Sequence, residues 1–441
     1  MLFASAVGRT QSWSMVPTSL APAPRGNHSG AYDMARSRFV IFGGQASSRL
    51  ADTWEFDGVV WQQRFPSNSP SPSWGHAMAY DPNRGRCVLF GGATGAGDSS
   101  AVDETWEWDG SNWTRSLPPI SPTGRLGHAM AYDWSNGRVV MFGGRNAGSI
   151  HENDTWAWDG ANWTLLATTG PTPRCCFDVA WDFTRSRILL FGGWNAGNLG
   201  DTWDFDGVSW QPLATPIAPT ARWGHRMADD LPSGVIVLFG GIVGPNETWE
   251  WNGTGWSLRS TAAQPALINT AFDFDWRIGR PTMFGGSTQG FADRAATWTY
   301  GNPVPATVRA YGSACPGPIG TPQLGVSGGG LPWMGQSFVL QVSGVSPTAI
   351  LLFGWSDTAF GSLTLPLPLA SLGAPGCSLL ASPDAVFGVV AMPIATFPVT
   401  VPYLPPVAGL TFFAQSVSLD VAANQLGITT SNGLAMTIGW R

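Results

Sequence analysis

Acidic residues recur directly before a Thr-Trp pair, as Asp52, Glu104, Asp154, Asp201 and Glu247. Paired carboxylates hydrolyse glycosidic bonds, one as acid and the other as base or nucleophile. Histidines recur too. His28, His76, His128 and His225 each stand 14 residues before the phenylalanine of a Phe-Gly-Gly triplet. Imidazoles spaced around one axis could ring a metal, although neither an HExxH nor a CxxC pattern accompanies them. Cys175 and Cys176 are adjacent and could form a vicinal disulfide or redox site, or simply two small buried side chains. Tryptophans beside these carboxylates could stack sugars.

The recurrence itself favours a structural role for most of these groups. Phe-Gly-Gly occurs at Phe42, Phe90, Phe142, Phe191, Phe239 and Phe284, in steps of 48, 52, 49, 48 and 45 residues. A Thr-Trp follows each one, with Trp54, Trp106, Trp156, Trp203, Trp249 and Trp298. A period of this length marks a repeat architecture. A residue that appears once per repeat serves the packing of each unit, so the carboxylates, histidines and Thr-Trp tryptophans read as scaffold.

Each unit divides into four short strands. In the second, GHAMAYD (75–81), CVLF (87–90), ETWEW (104–108) and NWTRS (112–116) are strands A to D. Asp109-Gly110 makes the C–D turn, because both residue types tolerate positive φ. Four antiparallel strands, repeated six times, predict a six-bladed β-propeller. A second Trp lies 7 residues after the Thr-Trp in five units and is missing from the sixth. Trp13 precedes Phe42 by 29 residues, and the other outer tryptophans precede the next Phe by 28 or 29. Strand D of the last blade is therefore expected from residues 11–15, closing the ring.

These residues resemble the kelch family over roughly 11–301. The resemblance rests on the Gly-Gly pairs, the spaced tryptophans and an Arg-x-x-His lead into strand A (Arg25/His28, Arg125/His128, Arg222/His225). Departures are Ser73 in blade 2, Phe177 in blade 4, and Leu267 and Thr270 in blade 6. The resemblance implies a β-propeller. Copper-radical oxidases resembling galactose oxidase share it, but need two metal-binding histidines and two tyrosines. Tyr32, Tyr80 and Tyr132 are repeat-equivalent, and Tyr300, Tyr311 and Tyr403 lie at or beyond the end of the repeats. No such site assembles from them, so no cofactor or metal is expected.

Beyond the repeats the composition changes. From 303 onward the only charged side chains are Arg309, Asp357, Asp384, Asp420 and Arg441. Short apolar runs between Gly, Pro and Ser turns predict a β-sandwich over 309–441, after a linker at 302–308 and with an extension at 1–10 before the propeller. Cys315 and Cys377 are expected to form a disulfide, the alternative being two buried thiols. The YGSACPGPIGTPQL, GCSLL and SNGLAMTIGW segments resemble a C-terminal domain of secreted planctomycete-like and myxobacterial-like proteins. Secretion or a place in the cell envelope follows as an expectation, although MLFASAVGRT is no complete signal peptide.

Composition narrows the partners. All 23 basic residues are arginine, charged residues are 12% of the chain, and the net charge is −6. That disfavours nucleic acid. Prolines interrupt the apolar stretch 385–414, so no transmembrane helix is expected. Binding is expected on the face carrying the long B–C and D–A connections. Candidate ligand contacts there are Arg125, Arg145, Asn146, His151, Arg174, Trp194, Asn195 and Arg222. Trp194 stands out because the repeat pattern does not call for it. The expected protein is a monomeric, non-enzymatic binder of a protein or a cell-surface glycan. An oxidase on the same propeller and a purely structural envelope protein are the alternatives.

Overall fold

The computed structural model describes residues 11–242, 247–259, 267–301, 306–344, 348–390, 394–401 and 409–439. The expected extension at 1–10, Tyr403, residues 302–305 of the linker and 243–246 of one B–C loop lie outside these. The chain divides into two compact units, one within 6–302 and one within 303–441. No α-helix occurs among the described residues.

The first unit holds six four-stranded antiparallel sheets among its described residues. Blade 2 is typical, with strand A at Ala77–Asp81, B at Arg86–Phe90, C at Thr105–Trp108 and D at Trp113–Ser116. Strands A and B are apolar and almost wholly buried because both faces of each sheet pack on neighbouring sheets. The last sheet takes Ala271–Asp275, Arg280–Phe284 and Thr297–Tyr300 from late in the chain and Trp13–Val16 from its start. Trp13 pairs with Tyr300 and Val16 with Thr297. The propeller is thus closed by the predicted N-terminal strand.

Side chains of the repeated phrase tie each blade to the one before. The outer tryptophan of every sheet donates its indole N–H to the threonine of the preceding sheet. Trp61 bonds Thr297, Trp113 bonds Thr53, Trp163 bonds Thr105, Trp210 bonds Thr155, Trp256 bonds Thr202 and Trp13 bonds Thr248, all at 2.8–3.0 Å. Trp13 therefore makes the same contact as its five equivalents.

The second unit contains a five-stranded antiparallel sheet in the order Thr307–Tyr311, Ile428–Thr437, Thr411–Leu419, Thr348–Gly354 and Ala385–Val390. A three-stranded sheet joins Gln323–Val326, Ser337–Ser343 and Ile394–Thr400. Ser337–Ser343 buries alternate residues, as a strand with one core face must. This fits the expected β-sandwich. The expected linker at 302–308 overlaps the first strand of this unit. Its last residues belong to Thr307–Tyr311, whose backbone pairs with Gly433–Thr437. Cys315 and Cys377 form a disulfide, packed with Leu369 and Ala374.

Candidate functional site

Strand A of each blade lines the axis, and the residue just before its histidine position adopts a left-handed conformation. These residues are Asn27, Gly75, Gly127, Cys176, Gly224 and Asn269, with φ between +52° and +71°. Their backbones form a closed belt of hydrogen bonds. Gly75 N–H donates to Asn27 O (2.9 Å), Gly127 to Gly75 (2.8 Å), Cys176 to Gly127 (2.7 Å), Gly224 to Cys176 (2.8 Å), Asn269 to Gly224 (2.9 Å) and Asn27 to Asn269 (3.1 Å). Left-handed residues are needed because each must turn its N–H toward one neighbour and its carbonyl toward the other.

On the loop face of this belt lies a pocket of about 290 Å³. Trp74, Leu126, Cys175 and Trp223, each one residue before a belt position, line it together with Arg145, Trp194 and Cys176. Arg145 keeps about a third of its side chain exposed and reaches Asp98 at 2.6 Å. Trp194 is held by a backbone bridge to Cys175, and its ring lies 5.4 Å from that of His151. Burial lowers the His151 pKa, as does Arg145, while Asp98 opposes them. Its Nε2 has no hydrogen-bond partner.

The other candidates fall elsewhere. Asn146 shapes its own loop, donating to Glu152 at 2.7 Å and accepting from Gly148 and Ile150 backbone N–H groups. Asn195 opens the 195–197 turn. Arg125, Arg174 and Arg222 are corrections to the expected ligand set, since each is at most 1% exposed. Arg125 bonds Asp154 through two nitrogens at 2.5 and 3.0 Å and also reaches the Gly143 carbonyl. Arg174 does the same with Asp201 and Gly192, and Arg222 bonds Glu247 and Gly240. A planar guanidinium with its donors used up inside the wall has nothing left for a ligand.

The recurrent carboxylates are explained by the same bonds. Burial alone would raise the Asp154 carboxyl, but Arg125 outweighs it and holds the group below its ordinary range. Each such carboxylate also accepts the indole N–H two residues on, for example Trp54 to Asp52 at 2.7 Å. Blade 6 lacks both partners, having Leu267 and Ala296 in their places. Blade 2 lacks the arginine, and Glu104 pairs instead with Arg115 at 3.1 Å. Two of the four recurrent histidines are similarly committed. His76 and His225 Nε2 lie 3.1 Å from the carbonyls of Phe42 and Phe191 in the preceding blades. Burial lowers their pKa values to about 4 and about 3. Tyr80 accepts from the Ala35 backbone, and Tyr300 donates to Glu250. Among the described residues no group of three or more His, Cys, Asp or Glu is placed to hold a metal.

Below the belt a second cavity of about 150 Å³ runs along the axis. Its wall carries four charged residues that break the repeat, Asp178, Arg226, Asp229 and Asp273. In blade 2 the corresponding positions hold Ala77, Ala77, Tyr80 and Ala79. Asp178 accepts from Met227 N–H and Asp273 from Tyr32 N–H, both at 2.7 Å. Burial pushes both carboxyls up to about 6. At the far end, Trp134, Phe183 and Trp276 meet with ring centroids 5.5–6.1 Å apart. Sequence reasoning missed this wall and also Trp74 and Trp223. The usable signal was variation: aligned by repeat, these positions change type from blade to blade.

The fold of the first unit is a β-propeller whose axis opens into a pocket on the loop face. A family model described as the KLHDC2/KLHL20/DRC7 Kelch-repeats domain matches residues 4–161. That supports the kelch-repeat relationship. No curated protein matches the chain. Among the described residues no helix is long and apolar enough to cross a membrane.

Proposed function

We propose that this chain is a non-enzymatic, exported binding protein whose mouth pocket on the loop face takes part of a protein or of a cell-surface glycan. The pocket carries this reading. Trp74, Trp194 and Trp223 line it with Arg145 at its edge, and blade packing requires none of the three tryptophans. Rigid aromatic area with an adjacent arginine is the composition of an interaction hot spot, and equally of a platform for a sugar ring. Kelch repeats generally mediate protein–protein interaction, which agrees with a binding role. The Cys315–Cys377 bridge agrees with an oxidising compartment.

A glycan array and a displayed-peptide library, screened in parallel with the full chain, test the reading. Hits should lose at least tenfold in affinity on Trp223→Ala or Trp194→Ala, with melting temperature nearly unchanged. Hits indifferent to both substitutions would place binding elsewhere. Stoichiometric copper in the purified protein would favour the oxidase alternative. Silence in both screens would favour an architectural role.

A further inference from the structure

Cys175 and Cys176 lie in the mouth pocket, and blade architecture does not ask for sulfur there. Cys176 occupies a belt position at φ +62°. Its five equivalents are three glycines and two asparagines, the residue types that tolerate this conformation. A cysteine is strained there, and strain in a single copy of a repeat calls for a functional explanation. The belt bonds of Cys176 use only backbone atoms. What distinguishes it is therefore the side chain.

That side chain meets its neighbour. The two Sγ atoms lie 2.9 Å apart. Cys176 is half-buried and Cys175 is 3% exposed, and both line the pocket. Gly127 leaves the space, since a Cβ there would approach Cys176 Sγ to 3.2 Å. The two thiols are also unlike. Contact with Cys175 holds the Cys176 thiol below its ordinary pKa against the effect of burial, and Arg145 helps. Contact with Cys176 and burial push Cys175 up. An accessible, acidified thiol beside a less accessible one suits an attacking and a resolving cysteine. The remaining free thiol, Cys87, is fully buried and does not line this pocket.

We propose that Cys175 and Cys176 are a two-electron redox pair that closes to a vicinal disulfide in the mouth pocket, with a low-molecular-weight disulfide as oxidant. Cys176 thiolate attacks one sulfur of the oxidant, forming a mixed disulfide and releasing one small thiolate. Cys175 loses its proton and attacks Cys176 Sγ, releasing the second small thiolate. Two protein thiols are oxidised, one small disulfide is reduced to two thiols, and the two protons pass to the released thiolates. The pair does this whether or not the pocket takes a ligand.

Exposure of the full chain to oxidised glutathione, followed by native-state alkylation and peptide mapping, tests this. The peptide carrying both cysteines should resist alkylation and weigh less by two hydrogen atoms. Dithiothreitol should reverse the change, and Cys315–Cys377 should map separately. In Cys175→Ser, Cys176 should instead accumulate a glutathione adduct. Two alkylated cysteines in the wild-type peptide, or a stable glutathione adduct without closure, would overturn the proposal.

Discussion

The outer strands and the axis of this propeller obey different rules. Around the outside, one set of contacts repeats six times, with each outer indole bonded to the preceding threonine. Along the axis, equivalent positions hold Ala, Asp or Arg in the channel wall, and Trp, Leu or Cys at the mouth. Uniformity marks what every blade needs in order to pack. Departure from it marks where the molecule does something only once. The buried arginines, present in four of the six blades, lie nearer the first class and Trp194 belongs to the second, although both were candidates for binding.

Substitutions can break this contrast, and the wall should suffer most. Arg125→Met leaves Asp154 and the Gly143 carbonyl without their partner inside the blade. It should cost about 3–5 kcal/mol in urea denaturation. Trp13→Ala removes a 5%-exposed indole and its bond to Thr248. A loss of about 3–4 kcal/mol is expected. The whole propeller should melt earlier, because the closing strand is part of the ring. Fraying confined to one blade would refute that.

Two axial substitutions should stabilise. Burial raises the Asp273 carboxyl to about 6. The folded state then keeps a proton that the unfolded chain releases between about pH 4 and 6. This stabilising contribution is complete below the unfolded value and lost as pH rises through 6. Asp273→Asn, which mimics the protonated group, should therefore raise stability at pH 7.5 by on the order of 2 kcal/mol and change little at pH 4.5. The buried histidines act oppositely. His76 and His225, lowered to about 4 and about 3, lose their contribution as pH falls below the unfolded value near 6.5. The wild-type pH profile should accordingly be shallow, and that of Asp273→Asn steeper on the acid side. Thermal melts at several pH values would check both. The smallest effect is expected from Cys176→Gly, a gain of about 1 kcal/mol from relief of the left-handed strain. A loss of stability there would mean that the side chain is held by packing.

Much of the fold was legible because repetition multiplies weak signals. One Phe-Gly-Gly says little, but six in register with Thr-Trp fix strand order, and the orphaned Trp13 completes the last sheet. The site was harder to read. Arg125, Arg174 and Arg222 looked like rim residues because position in a loop says nothing of which way a side chain turns. Trp223 stands where blade 2 has Trp74, so nothing in its own blade singles it out. Asp178 and Asp273 were hidden within strands that read as ordinary core.

While the structure decided between a bridge and two thiols at Cys315 and Cys377, the sequence by itself determined the repeat and the closure through the N-terminal strand. Local spacing and turn chemistry carry that information along the chain. Only the tertiary structure decided that buried arginines cap carboxylates within the blades, and that Trp74, Trp194 and Trp223 share a pocket with Arg145 and two cysteines. Those residues lie on different blades, and only closure of the ring brings them to one axis.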